Sequence, residues 1–285
     1  MTRLRNLVDA ARDRLVAAGV PAPEATLDAE LLVRHVLGWD RASWITRRDE
    51  TARADAAEAF KAVVARRAAR EPVAYIRGLQ EFYGRPFQVG PGVLIPRPET
   101  EMVVDEALTL LAGAGAGAPA PRIADIGTGS GCLAVTLALE CLRASVVATD
   151  VSADALAVAR ANANRHGVAA RVAFVETSFL EGVAGPFDLI VANPPYVREA
   201  DRPSLAPEVV AHEPHLALFA GPDGLRDVRI IVGLAATGLA PGGMLVMEIG
   251  AGQWPEVRAA LSAVGLEARV RADLQGIPRA VVATR

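Results

Sequence analysis

The apolar positions of this chain follow two different rhythms. Over roughly the first 75 residues they recur at helical spacing: Leu4, Leu7, Val8, Ala11 and Leu15 share one face, Pro21 and Pro23 interrupt, and Leu27, Leu31, Leu32 and Val36 repeat the pattern as far as Gly38. An Ala-rich stretch over 52–70 carries Phe60, Val63 and Val64 inward and stops before Pro72. The pattern predicts an all-α helical bundle over 1–75, anchored by Trp39 and Trp44, with His35 at a core or boundary position. Phe82, Tyr83, Phe87 and Val89, then Val93, Leu94 and Ile95, predict a strand pair, a β-hairpin linker over 76–97. From 98 to 285, short apolar runs at 122–126, 145–149, 171–175, 187–192 and 244–249 alternate with helical segments, past a flexible Gly/Ala stretch at 113–121. Alternation of this kind means right-handed crossovers and a mostly parallel α/β sheet covered on both faces. The last two runs, 268–272 and 279–283, are separated only by a short loop and predict an antiparallel hairpin at the sheet edge.

A length of 285 residues suits about two domains, and a 52% hydrophobic composition excludes a disordered or collagen-like chain. The formal net charge of −3 argues against coating nucleic acid or an anionic membrane by charge alone. Residues 1–75 hold 13 basic and 11 acidic groups, so the bundle is slightly basic (+2) and the remainder acidic (−5). The Arg66, Arg67, Arg70 cluster reads as a solvated helix face. Cys132 and Cys141 are too far apart for a CxxC pair, so neither a disulfide framework nor a zinc knuckle is indicated. The N-terminal segment lacks an apolar signal core and carries Asp9 and Asp13, which points to a cytoplasmic protein. The uncharged run Ile230 to Met247 has the length of a membrane helix. Gly233, Gly238, Pro241, Gly242 and Gly243 break it into helix, turn and buried strand.

Candidate chemistry begins where the first of these strands ends, at Asp125-Ile126-Gly127-Thr128-Gly129-Ser130-Gly131. Glycines permit the sharp turn and the close approach of a ligand, and the helix that follows presents unpaired N–H groups. Asp150 ends the next strand, where a carboxylate can accept from both ribose hydroxyls of a nucleoside. Lys61 is the one lysine of the chain, so a Walker lysine is absent and a P-loop NTPase is excluded. Asn193-Pro194-Pro195-Tyr196 follows the fourth strand. Its chemistry suits a planar NH2 group: the Asn193 side-chain oxygen and the Pro194 carbonyl each accept one N–H, the prolines stiffen the turn, and Tyr196 offers a ring for stacking. Transfer of an already activated group to that nitrogen needs positioning rather than a general base. His212, Glu213 and His215 cluster, but Pro214 inside the group breaks the helix that would present both imidazoles together, so no metal site is assigned; a loop lining the substrate cleft is the better reading. Cys132, at a helix N-terminus, reads as a packing residue.

The G-x-G-x-G spacing resembles the first motif of S-adenosylmethionine-dependent methyltransferases of the seven-stranded, Rossmann-like class. The segment Leu94-Ile95-Pro96-Arg97-Pro98-Glu99-Thr100-Glu101 narrows this further. With the helical N-terminal part, Glu213-Pro214 and the closing D-L-Q-G-I-P-R, it resembles the family of N5-glutamine methyltransferases of peptide chain release factors over nearly the whole chain. The resemblance implies methyl transfer from S-adenosyl-L-methionine to the glutamine of the Gly-Gly-Gln motif in class 1 release factors. The methyltransferase domain would span 98–285, and the bundle over 1–75 would grip the release factor. It implies that Gly127, Thr128, Gly129, Ser130, Gly131, Asp150, Ser178, Phe179 and Asn193 hold the cofactor. Asn193, Pro194, Pro195, Tyr196, Arg97 and Glu99 would meet the substrate, with Asn193, Pro194 and Tyr196 at the chemistry. Where such sequences often carry an acidic and then a bulky residue before Phe179, this chain has Thr177 and Ser178. The expected enzyme is a cytoplasmic monomer that binds neither metal nor membrane and does not bind nucleic acid stably. The competing readings are a glutamine methyltransferase of a ribosomal protein, an N6-adenine methyltransferase of DNA or RNA, and a nucleoside-binding module that recruits a partner. The intact R-P-E-T-E segment and the acidic catalytic part weigh against the first two.

Overall fold

The computed structural model describes residues 2–113 and 119–285, so most of the predicted Gly/Ala stretch lies outside the described residues. The chain forms two compact units, Met1–Leu79 with Ala206–His212 and Gln80–Leu205 with Glu213–Arg285.

The first unit is helical: α1 (Leu4–Ala17), α2 (Ala22–Leu37), α3 (Arg41–Arg47), α4 (Ala54–Ala68) and α5 (Val73–Arg77). Leu4, Leu15, Leu32, Trp44, Phe60 and Val64 form its core. Trp44 is buried as expected, while Trp39 is half-buried with the Arg47 guanidinium 4.2 Å above its ring. Two expectations fail on α2. Its buried stripe is Ala25, Asp28, Ala29, Leu32 and Val33, which leaves Leu27 at 57% exposure and His35 on the exposed face. The predicted solvated arginine face holds for Arg66, which is exposed, and fails for Arg67 and Arg70. Arg67 is 3% exposed; its Nε donates to Asp28 at 2.6 Å and its second amino group to Glu208 at 3.0 Å, and Arg70 pairs with Glu208 as well. Asp28 is drawn inward by Arg67, and it turns the helix so that Leu27 faces water.

The second unit, from Gln80, opens within the hairpin β1 (Leu79–Phe82) and β2 (Arg85–Gln88), turned by Tyr83 and Gly84 at positive φ. Residues 93–95 are not a strand; the Ile95 amide donates to the Glu213 carboxylate, so this apolar run has a side-chain partner instead of a ladder. A 3-10 turn at Pro98–Thr100 leads into α6 (Glu101–Ala112). There follow β3 (Arg122–Ile126), α7 (Cys132–Glu140), β4 (Ser145–Asp150), α8 (Ala153–Arg165), β5 (Val172–Glu176), β6 (Phe187–Ala192), α9 (Pro207–His212, belonging to the first unit), α10 (Arg226–Gly238), β7 (Leu239–Glu248), α11 (Trp254–Ala263), β8 (Glu267–Ala272) and β9 (Pro278–Thr284). The sheet order is β5-β4-β3-β6-β7-β9-β8; β3 to β7 pair in parallel, and β9 runs antiparallel to both its neighbours. The closing hairpin therefore inserts β9 into the sheet and leaves β8 as the edge.

Helices cover both faces, which is why the central strands read as unbroken apolar runs. Val103, Val104, Leu133 and Leu137 pack on one side, and Val228, Ile231, Val257 and Leu261 on the other. The uncharged run Ile230 to Met247 divides between α10 and β7, and no described helix is long and apolar enough to cross a membrane. Strand order reverses between β3 and β6. Ligands of open parallel sheets bind beyond the carboxyl ends of the strands at such a reversal, and both predicted motifs start there.

Candidate active site

The glycine loop leaves β3 with Gly127, Gly129 and Gly131 at φ of +70°, +54° and +80°, a backbone region that costs other residues roughly 1–2 kcal/mol each. Asp125 fastens it from below: one carboxyl oxygen accepts from the Thr128 hydroxyl at 2.6 Å and the Ala134 amide at 3.1 Å, and the other is buried without a partner. Burial outweighs the hydrogen bonds from Thr128 and Ala134 and pushes Asp125 up to about 7. A raised carboxyl binds its proton more tightly folded than unfolded, so its contribution is full at low pH and declines as pH rises to about 7. Denaturant titrations at pH 5 and 7.5 check this: Asp125→Asn is expected to flatten that decline, and an unaltered slope would refute it.

The loop bounds a cleft of about 360 Å³ lined by Gly127, Thr128, Gly129, Ser130, Asp150, Ser178, Phe179, Asn193, Pro194 and Pro195, within the roughly 300–1,000 Å³ of small-molecule sites. A Cβ on Gly127 or Gly129 would meet nothing within 4 Å, so side-chain-free backbone is what borders the open space. Gly131 lies outside the lining. A Cβ there would come within 3.0 Å of Ala159 Cβ, so its lack of a side chain serves the packing of α7 on α8. The Asp150 carboxylate accepts the Gly129 and Ser152 amides, both at 2.9 Å, which joins the end of β4 to the loop. Ser178 and Phe179 follow β5; Phe179 holds φ +52°, uncommon for a residue with a side chain and typical of backbone constrained at functional sites. Thr177 also lines the cleft, with its hydroxyl donating to the Glu181 carbonyl.

Asn193 stands where β6 ends. Its Nδ2 donates to the Thr100 hydroxyl oxygen at 2.9 Å, the Thr100 hydroxyl donates to Glu248 Oε2 at 2.6 Å, and the Tyr196 hydroxyl donates to Glu248 Oε1 at 3.0 Å. With Nδ2 engaged, Oδ1 is the acceptor left for a ligand. Tyr196 is not part of the cleft lining; it borders a neighbouring cavity of about 620 Å³ with Arg198, Asp201 and Gln253. Burial, then the Glu248 charge, raise its phenol. Arg97 and Glu99 do not line the cleft either: Arg97 pairs with buried Glu213, and Glu99 is exposed. Glu213 thus clamps both the Ile95 amide and Arg97, while Pro214, Leu216 and Ala217 border the cleft. Cys132, read from the sequence as a packing residue, borders the cleft at the start of α7, with its thiol pushed up to about 12 by burial and the Asp125 charge.

This arrangement can hold a nucleoside-bearing cofactor along the loop and Asp150 and present acceptors to a planar NH2 beside it. Comparisons with known proteins give the class. Residues 6–78 match the family model described as the PrmC N-terminal domain, and residues 100–218 the Methyltransferase small domain. The release factor glutamine methyltransferase of Deinococcus radiodurans is 44% identical over 99% of both chains. That of Bradyrhizobium diazoefficiens is 44% identical over 98% of this chain and 95% of its own. The chain belongs to the release factor glutamine methyltransferase family. It is an enzyme of that class, and the family implies S-adenosylmethionine as the methyl source. The catalytic domain of hMettl16, solved with a MAT2A 3'UTR hairpin, shares the fold, with a TM-score of 0.57 at 16% identity over 78% of this chain and 81% of that one.

For this member of the release factor glutamine methyltransferase family, sequence reasoning passed over several residues of the site. Glu248 and Thr100 tie Asn193 and Tyr196 together. Asn162, fully buried in α8, accepts from the Gln88 amide and donates to the Gln88 and Ser130 carbonyls, which secures the glycine loop to the hairpin. Val151 and Leu216, 56% and 74% exposed, offer apolar surface at the cleft rim. The apolar residue directly after Asp150 is the one such signal that the sequence carries.

Proposed function

We propose that this enzyme transfers the methyl group of S-adenosyl-L-methionine to the side-chain amide N5 of the glutamine in the Gly-Gly-Gln motif of class 1 peptide chain release factors. Its setting would be the cytoplasm, acting as a monomer. The observation that carries the reading is the committed Asn193 amide: Nδ2 is taken by Thr100, so Oδ1 is the acceptor for an N–H, next to the Gly127–Gly131 loop. Asn193 Oδ1 and the Pro194 carbonyl accept the two N–H groups of the glutamine amide, hold its plane and concentrate electron density on its nitrogen. The lone pair then meets the sulfonium methyl in line. When bound, S-adenosyl-L-methionine would supply the sulfonium methyl and would depart as S-adenosylhomocysteine, and the methylated nitrogen held by Asn193 and Pro194 would give one proton to solvent. Positioning is the main catalytic contribution.

The cofactor fits the residues present: open backbone at Gly127 and Gly129, the Asp150 carboxylate and the apolar rim of Val151. Asp150→Ala is expected to raise the dissociation constant for S-adenosylmethionine about tenfold to a hundredfold, the worth of hydrogen bonds to a charged group, measured by equilibrium dialysis. The reading itself is tested with methyl-labelled S-adenosylmethionine and a class 1 release factor, either wild type or with its Gly-Gly-Gln glutamine replaced. Label is expected on the wild type alone. Equal labelling of the two, or preferential labelling of nucleic acid, would overturn it.

A further inference from the structure

We propose that Glu248 and Thr100 are positioning residues that set which end of the Asn193 amide faces the target nitrogen, and that protonation of Glu248 reverses it. The inference rests on the reading of Asn193 given above. A side-chain amide can present either oxygen or NH2 to a ligand, and methylation of an amide nitrogen requires the oxygen. The choice is made by the chain of hydrogen bonds behind it. Ionised Glu248 is an acceptor only; it takes the Tyr196 hydroxyl on Oε1 at 3.0 Å and the Thr100 hydroxyl on Oε2 at 2.6 Å. With its proton directed at Glu248, Thr100 Oγ1 can only accept from Asn193, which places Nδ2 toward Thr100 at 2.9 Å and Oδ1 toward the substrate. Thr100 and Glu248 are both 1% exposed, so these bonds are shielded from bulk water.

A proton on Oε2 inverts the relay. Glu248 then donates to Thr100, the Thr100 hydroxyl donates to Asn193 Oδ1, and the amide turns its NH2 toward the substrate NH2, donor against donor. Groups from several elements around Glu248 set this balance. Thr100 and Glu99 come from the turn before α6, Tyr196 from the loop after β6, Arg279 from β9 and Cys132 from α7. Burial raises the Glu248 carboxyl most; the hydroxyls of Thr100 and Tyr196 and the charge of Arg279 lower it, and Glu99 raises it again. The engaged state is therefore lost as pH falls, from a higher pH than for an ordinary glutamate.

The test is steady-state methylation of a class 1 release factor across pH, with S-adenosylmethionine affinity and melting temperature measured alongside. Thr100→Val, close in shape and lacking only the hydroxyl, is expected to lower kcat about a hundredfold, the cost of a misaligned reacting group, with cofactor affinity and KM little changed. Thr100→Ser restores the hydroxyl and recovers most of the rate. Glu248→Gln lowers kcat about tenfold, as a neutral hydrogen bond replaces a charged one, and loses the acid limb of the kcat profile that the wild type and Thr100→Ser keep. Thr100→Val within threefold of the wild type, or an acid limb unchanged in Glu248→Gln, would overturn the inference. Asn193→Ala separates the two failures. If it abolishes transfer while the other variants do not, the positioning role falls and the reading of the site stands; if it too stays active, the reading of the site falls.

Discussion

Asn193→Ala is expected to lower the rate of methyl transfer about a thousandfold, the combined worth of a preorganised polar contact and of correct alignment, with S-adenosylmethionine binding preserved within a few-fold. The split follows from where Asn193 sits. In the proposed reading the cofactor would be held by the glycine loop after β3 and the carboxylate at the end of β4, which the Gly129 amide to Asp150 bond ties together at 2.9 Å. The Asn193 side chain bonds instead to Thr100. Removing the side chain thus takes away an acceptor for the substrate amide and leaves the cofactor's bonds in place. Asn193→Asp refines the prediction. An aspartate keeps an acceptor toward the substrate, but its second oxygen faces Thr100, whose hydroxyl proton is already given to Glu248. Two carboxylates would then compete for one proton, and Asp is expected to restore little of the rate. Single-turnover labelling with cofactor titration measures both quantities; a rate within tenfold of the wild type for Asn193→Ala would remove the tetrad from the chemistry.

Much of the catalytic unit was legible in the sequence because burial on both faces writes itself as apolar runs. Strands β3 and β6 coincide with the predicted segments, and the others start or end within a few residues. Residues 93–95 misled for the same reason. An apolar triplet signals burial and not a ladder, and its amide at Ile95 is satisfied by Glu213, 118 positions away. The motifs were legible because loop geometry and chemistry are local: glycines at positive φ and an Asn-Pro-Pro turn carry their own physics. Glu248 was not. It is the last residue of an apolar strand, its burial is invisible to periodicity, and it meets Thr100 only through the fold, 148 positions apart. Charge patterning along a helix likewise sees neighbours three or four residues away. It read Arg66, Arg67 and Arg70 as one solvated face because nothing local marked Asp28 or Glu208 as partners.

That misreading identifies the second large effect. Arg67→Met is expected to destabilise the helical unit by about 3–5 kcal/mol, the usual cost of removing one partner from a buried ion pair. Asp28, with its side chain 12% exposed, would lose the guanidinium that donates to it at 2.6 Å, and Glu208 would keep Arg70 alone. Burial already raises the Asp28 carboxyl above its ordinary range even with Arg67 beside it. The pair is therefore costly to break without being a strong source of stability. The double change Arg67→Met with Asp28→Leu is for that reason expected to recover most of the loss, since an apolar pair of similar volume escapes the desolvation penalty. Trp39 and Trp44 lie in this unit and Trp254 in α11, so urea titration followed by tryptophan fluorescence in a Trp254→Phe background reads the helical unit by itself. A loss below about 1 kcal/mol for Arg67→Met would mean that the pair behaves as an exposed, screened one; a double variant weaker than the single would mean that Asp28 holds α2 against α4 through more than its bond to Arg67.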